Sequence, residues 1–225
     1  MWNWLIHTRQ GLIARIGAGA FIFLCLALWD LKKNGRAARR WKEYAFLIVC
    51  VVFAMVYGIV NDQVTSAVSW EYFYYGKELE AVLGPTIPPD RAAMQWEAAK
   101  IGMMATWSVG LLLGAALLIA NNPRPTRPSL APSRLLSLLP VVLAITIGFG
   151  ILFGFLGWIG ALNWMSPDFV AMWHENMFRP PHFTAAWGAH LGGYIGGLIG
   201  GGWAVWRVIR LRKRQSVSIS EPAMS

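Results

Sequence analysis

Charged residues are scarce in this chain of 225 residues. They make up only 14% of it, while hydrophobic residues make up 56%; in an ordinary soluble domain about a quarter of the residues are charged. The mean hydropathy is +0.45. These values exclude a typical soluble domain and predict an all-α fold, a bundle of transmembrane helices whose solvent is the lipid bilayer.

Cysteines are also few, because only Cys25 and Cys50 occur. Two isolated thiols exclude a disulfide-rich secreted scaffold, in which cysteines are dense. Both lie near the basic ends of predicted helices, and these ends are expected to face a reducing compartment. The sequence therefore predicts that both are small, unpaired residues of the helical core.

Complete catalytic and metal-binding motifs are missing as well. The spacings HxxxH, HExxH and CxxC do not occur, although such spacings bring metal ligands or redox thiols together. The basic segments also lack the regular pattern of cations and aromatic rings that a base-stacking surface needs. Nucleic acid is therefore not an expected partner, despite the formal net charge of +9.

What the chain does contain is a series of long apolar segments. A helix needs about 20 apolar residues to cross a bilayer, and five segments meet this length: about 12–31, 44–61, 98–120, 136–161 and 184–206. They predict a single transmembrane domain over residues 1–214. The polar segment 215–225 is predicted to be a disordered tail.

Basic residues concentrate in alternate connections between these spans. Six lie between the first and second spans, three between the third and fourth, and five after the fifth, so 14 of the 20 fall on one side. The positive-inside rule assigns that side to the cytoplasm. We therefore expect a multi-pass inner-membrane protein with its N-terminus outside and its C-terminus inside. The expected partners are anionic lipid headgroups on the cytoplasmic side and other membrane subunits.

The two larger external segments contain local structural signals. Pro88, Pro89 and Asp90 predict the start of the third spanning helix, since proline and an acid are favoured in the first turn. The alternation over residues 64–75 predicts a short extended or interfacial piece. The apolar spacing over 169–177 predicts an interfacial helix, which Pro180 and Pro181 are expected to end.

Glycines recur every four residues in the fifth span. Gly188, Gly192, Gly196 and Gly200 form this stripe, which is doubled by Gly193, Gly197 and Gly201. Small residues at this spacing allow helix backbones to approach closely. The fifth span is expected to pack tightly in the bundle, against the third or fourth span.

His190 lies within this glycine ladder, about two turns below the external end of the span. An ionisable side chain at membrane depth is a functional-site hypothesis by default, although a histidine there can also be a hydrogen-bonded core residue. Asp62 and Glu71 are expected to converge on it from above. Imidazole and carboxylate ligands suit divalent transition metals, so the sequence predicts a metal site of His190, Asp62 and Glu71. Further candidate ligands are Glu97, His174 and Glu175.

A serine offers a second chemistry. Ser108 on the third span is expected at the depth of His190, and AHLGGYIGG resembles the histidine-bearing helix of rhomboid intramembrane proteases. That resemblance implies a Ser108 nucleophile and a His190 base. The GxSG motif of that family is missing here, because Thr106 and Trp107 precede Ser108, and a bulky tryptophan does not suit an oxyanion hole.

A broader resemblance covers most of the chain. The segment DQVTSAVSWEYF, a GMMATWSVGLLLG span and the final HLGGYIGG span resemble a family of uncharacterised bacterial membrane proteins with a DQVTxxxSPEYF signature, in which proline stands in place of Trp70. The resemblance supports the topology without implying a substrate. It singles out five residues: Asp62, Gln63, Glu71, Tyr72 and His190.

Three classes of function follow from these features. An accessory or structural subunit with an outward-facing site of histidine and carboxylates is favoured, because no catalytic motif is complete. A metal-dependent membrane enzyme that uses the same site is the alternative. A carrier of protons or small solutes is disfavoured, because the cytoplasmic halves of the spans contain almost no ionisable residues.

Overall fold

The computed structural model describes residues 9–35, 38, 40–124, 127–165 and 179–220, and the regular structure within these residues is helical. The α-helices, numbered here in chain order, are α1 Arg9–Asn34, α2 Arg40–Val68, α3 Trp70–Tyr74, α4 Glu80–Leu83, α5 Arg91–Ala120, α6 Pro132–Leu136, α7 Leu139–Trp158 and α8 Pro180–Ser220. A 3₁₀ turn spans Asn163–Met165. The all-α class is confirmed.

Three helical stretches of the described chain are long and apolar enough to cross a membrane: α2, α5 and the nearly continuous α6–α7 stretch Pro132–Trp158. Their outer faces carry large apolar side chains such as Ile119 and Ile151, which are 75% and 69% exposed. Such a surface is stable in lipid and unstable in water. These helices identify a membrane protein. The predicted first and fifth spans correspond to α1 and α8.

The long helices are arranged as two antiparallel pairs. Helix α2 packs along α5, and α7 packs along α8. The backbones of α2 and α5 touch where Gly58 meets Gly102. In the other pair, Gly188 and Gly192 of α8 meet the carbonyl groups of Phe153 and Phe149. The predicted close approach through small residues is confirmed, and the partner of the glycine stripe is α7.

The two pairs join through apolar clusters at opposite ends of the bundle. One cluster centres on Tyr72, Phe73 and Phe183, and its end is called the Asp62 end here. The other centres on Leu117 and Val208, and its end is called the Arg212 end. Between the clusters, α8 makes few contacts with α2 and α5. This arrangement leaves a cleft between the pairs.

Arg212 fixes the connection between the pairs at its own end. Its guanidinium donates hydrogen bonds to the carbonyl groups of Ala120, Asn122, Arg127 and Pro128, at 2.5–3.1 Å. The side chain of Asn121 closes the same loop through two bonds with Leu130. The basic connection after α5 and the basic part of α8 therefore lie at the same end, as the charge pattern requires.

The structure corrects one local prediction. Residues 64–75 are not extended: α2 continues to Val68 and α3 follows at once, because Thr65 and Ser66 are buried against the bundle and their hydroxyls bond within the helix. Pro180 begins α8, where proline in a first turn removes no intrahelical bond, and the helix that it was expected to end lies outside the described residues. The start of α5 is as predicted, with Asp90 capping the N–H of Ala93.

Three further predictions concern the two cysteines, the segment 169–177 and the segment 215–225. Cys50 is buried and Cys25 is exposed on α1, so the core prediction is wrong for Cys25, because α1 contacts the bundle mainly along α2. The predicted interfacial helix around 169–177 lies outside the described residues. Helix α8 runs through Ser220, into the segment 215–225, and residues 221–225 also lie outside the described part.

Candidate functional site

The cleft between the helix pairs is a cavity of about 520 Å³, bounded by α2, α5 and α8. Its volume lies within the range of about 300–1,000 Å³ that is typical of small-molecule sites. Polar side chains line it at the Asp62 end, and almost all the rest of its wall is apolar. The main polar lining residues are Tyr57, Asn61, Asp62, Lys77, His190 and Tyr194.

Asp62 and His190 meet at the polar end of the cleft. The Nε2 atom of His190 lies 3.8 Å from Oδ1 of Asp62, and both side chains are buried. The same nitrogen lies 3.2 Å from the hydroxyl oxygen of Thr65. That hydroxyl donates its only proton to the carbonyl of Asn61 at 2.8 Å, so Nε2–H of His190 must be the donor toward Thr65.

Two aromatic rings pack against the imidazole of His190. The ring centroids of Tyr72 and Phe73 lie 5.0 and 5.9 Å from that of His190. Both aromatic residues belong to α3, which Ser69 caps by accepting the N–H of Tyr72. The sharp turn between α2 and α3 therefore places two aromatic rings against His190.

Lys77 is a cation at this end that the sequence did not single out. Its ammonium lies 5.4 Å from the ring centroid of Tyr72, the same ring that contacts His190. Burial lowers the pKa of Lys77, and the negative charge of Asp62 opposes that shift. The polar end of the cleft thus contains one carboxylate and one ammonium, and the charge of Asp62 favours the ammonium form of Lys77.

The two glycine stripes of α8 have different roles. Gly188, Gly192 and Gly196 face α7, where a methyl group on Gly196 would lie 2.8 Å from Cβ of Phe149. The second stripe, Gly193, Gly197 and Gly201, lines the cleft. The first stripe allows α7 and α8 to pack closely, and the second leaves space for the cavity.

The predicted site residues separate in the structure. Asp62 and His190 come together, whereas Glu97 is paired with Lys100 at 2.6 Å. Glu71 is buried on α3 but does not line the cleft. Gln63 donates to the carbonyl of Gln95, at 2.6 Å, and so ties α2 to α5. His174 and Glu175 lie outside the described residues.

Ser108 does not lie in the cleft. Thr106 and Val109 of the same helix line it, and Ser108 is absent from its lining among the residues that the structure describes. The hydroxyl that reaches His190 is that of Thr65. A sequence signal for Thr65 exists, since it lies three residues after Asp62 and hence on the same helical face. No comparable signal marks Lys77, because only the turn after α3 brings it to the cleft.

Metal coordination would need a third ligand beside Asp62 and His190. Within the described ranges, no group of three or more histidine, cysteine, aspartate or glutamate residues could hold a metal ion. His174 and Glu175, the further candidate ligands, fall outside these ranges. The metal site therefore stays a prediction.

No protein-family model, curated protein or solved structure matches this chain. The resemblance to bacterial proteins with the DQVTxxxSPEYF signature therefore stays a prediction. The class that the fold defines is that of a helical membrane protein, with three helices that could span the bilayer. The particular function has to be inferred from the cleft.

Proposed function

We propose that this chain is an accessory, non-catalytic protein of the inner membrane that binds a ligand in the cleft between its two helix pairs. One observation carries the proposal: the cavity of about 520 Å³ ends at a buried pair of ionisable residues, Asp62 and His190. Burying ionisable side chains at membrane depth costs free energy, so such residues typically mark a binding or functional site. The pair is a preformed polar contact for a ligand.

The proposed topology has five spans, with α1 and α8 added to the three apolar stretches. The N-terminus is outside and the C-terminus inside, so that the Asp62 end faces outward. This orientation places Arg134 and Arg214, which line a small recess at the Arg212 end, among the anionic headgroups of the cytoplasmic leaflet. Helix α8, with 41 residues, is long enough to span the bilayer but is not among the three most apolar stretches, because its many glycines contribute little hydrophobicity.

Single-cysteine labelling tests the topology. A cysteine at Thr86, which is exposed, should react with a membrane-impermeant maleimide added to intact spheroplasts, because the loop between α4 and α5 lies outside. A cysteine at Arg210 should react only after lysis. The native Cys25 and Cys50 are replaced by alanine in both variants. The reverse pattern of labelling would overturn the orientation.

Recovery of bound small molecules tests the binding role. The full chain is extracted with its surrounding lipid in polymer nanodiscs, and the bound molecules are compared by mass spectrometry between the wild type and Gly197→Leu. Leucine at this position extends into the cleft, where a methyl group meets no atom closer than 3.9 Å. The wild type should hold a stoichiometric molecule that the variant lacks. Identical small-molecule contents in the two proteins would contradict binding in the cleft.

Gly148→Leu is the matched control for that comparison. Gly148 lies on α7, is exposed and does not line the cleft, and a methyl group added to it would meet no atom within 4 Å. The substitution adds the same side-chain volume without entering the cavity. This control should retain the bound molecule at the wild-type level, and its loss there would mean that the Gly197→Leu effect is not specific.

A further inference from the structure

We infer that the ligand of the cleft is a single-chain lipid with a zwitterionic headgroup, a conclusion that rests on the proposed binding role. Three features point to this class: the apolar length of the cavity, its sideways opening and the pair of opposite charges at one end. Each feature excludes a different kind of ligand.

The apolar part of the cleft is long and narrow. On α8 it extends from His190 to Val205, fifteen residues that correspond to about 22 Å at 1.5 Å per residue. This exceeds half the thickness of the hydrocarbon core, about 15 Å. A compact polar solute would leave most of this wall in contact with nothing, whereas one extended hydrocarbon chain would cover it.

The cleft opens sideways between α5 and α8. Leu112 and Leu198 line it and are also 70% and 80% exposed, so they stand at its rim. The rim lies within the apolar belt of the helices, where lipid chains surround the protein. A hydrocarbon chain can therefore enter from the bilayer without crossing water, while its headgroup remains at the Asp62 end.

Charge complementarity defines the headgroup. Asp62 provides an acceptor, and Lys77 provides a cation, both on the cavity wall. The carboxylate of Asp62 would repel a purely anionic headgroup, and the ammonium of Lys77 would repel a purely cationic one. A zwitterion, with an ammonium for Asp62 and a phosphate for Lys77, satisfies both and leaves neither charge buried without a partner.

The cavity volume indicates that the ligand has a single hydrocarbon chain. The cavity of about 520 Å³ is lined on facing helices by small residues such as Gly102, Ala105 and Gly197. These leave a channel between α5 and α8 that suits a single unbranched chain with a headgroup. A two-chain phospholipid would have to leave its second chain outside, beyond the rim.

Photocrosslinking tests the assignment. The full chain is placed in phosphatidylcholine nanodiscs and titrated with lysophosphatidylethanolamine that bears a diazirine in its acyl chain. Peptide mass spectrometry should find crosslinks on the cleft-lining stretches 101–116 and 193–205. In Gly197→Leu these crosslinks should fall at least about tenfold, which corresponds to roughly 1.4 kcal/mol of steric cost, and Gly148→Leu should match the wild type.

A second probe tests the headgroup. A fatty acid with the same photoreactive chain carries only a negative charge, so the wild type should crosslink it less than the zwitterion, and Asp62→Asn should reduce that difference. Gly202→Leu, at a position with no atom within 4 Å, is a second cleft-filling variant should Gly197→Leu fail to fold.

The outcomes separate this inference from the proposed function. Equal labelling by both probes would overturn the zwitterionic headgroup and leave binding in the cleft intact. Recovery of a water-soluble molecule that Gly197→Leu loses would likewise overturn the lipid and retain the binding role. Crosslinks that persist unchanged in both cleft-filling variants, together with no recovered molecule, would overturn both.

Discussion

The imidazole Nε2 of His190 lies 3.8 Å from the carboxylate of Asp62, with the hydroxyl of Thr65 at 3.2 Å from the same nitrogen. Helices α2 and α8, which carry these residues, touch little elsewhere. The three side chains thus form a polar link between the two helix pairs at the Asp62 end of the cleft. Loss of this link should therefore weaken the packing of the two pairs against each other.

His190→Ala should lower the thermal stability of the protein. The substitution removes the donor to Thr65 and leaves buried polar groups with fewer partners, which typically costs about 1–3 kcal/mol for each unsatisfied group. His190→Gln, which retains an N–H donor of similar reach, should recover part of the loss. Unfolding followed by circular dichroism in detergent measures both, and an unaltered midpoint for His190→Ala would show that the link adds nothing to stability.

Gly192→Ala should destabilise the α7–α8 hairpin. A methyl group there would lie 2.7 Å from Cβ of Phe153 and would overlap the carbonyl of Phe149, so the helices must separate. Overpacking of this kind typically costs about 1–3 kcal/mol. Gly202→Ala meets no atom within 4 Å and serves as the control. Thermal midpoints of the two variants that coincide would contradict the packing role of the first glycine stripe.

Arg212→Lys should loosen the loop after α5. Lysine has three donors on one atom and cannot reproduce the fork that reaches four carbonyl groups, so residues 121–131 should become more sensitive to limited proteolysis. Arg210→Lys, at an exposed position on the same helix, should leave the cleavage rate unchanged. Equal cleavage rates in the two variants would show that the fork does not hold the loop.

Lys77 gives the protein a pH dependence whose sign follows from its environment. Burial lowers its pKa below the ordinary 10.5, so the charged form destabilises the folded protein. This cost is fully present below the folded-state pKa and vanishes above the unfolded-state value. In Lys77→Met the cost is absent, and the gain in stability over the wild type should shrink as the pH rises through that window. Denaturation at several pH values measures it.

Asp62→Asn should shift the titration of Lys77 in a defined direction. The carboxylate favours the ammonium form and opposes the effect of burial, so its removal should lower the pKa further. Acylation of Lys77, followed by peptide mass spectrometry across a pH series, should therefore reach half its limiting rate at a lower pH in the variant. An unchanged half-limiting pH would mean that the two groups do not interact.

The sequence alone determined the helical class, the three apolar stretches that could cross a membrane and the small-residue stripes. Long apolar segments can satisfy their backbone groups in lipid only as helices, and this holds whatever they pack against. The sequence also selected Asp62 and His190, because ionisable residues next to apolar spans are few. The prolines and the acid at 88–90 also marked the start of α5, because that signal is local to the first turn of a helix.

Tertiary structure decided which predicted residues meet. Glu97 lies with Lys100, Glu71 lies on the separate helix α3, and Lys77 reaches the cleft only because the chain turns after α3. It also decided that one glycine stripe packs against α7 while its neighbour lines a cavity. The physical reason is that helical periodicity fixes the face on which a residue lies, whereas the partner of that face depends on how the two helix pairs dock.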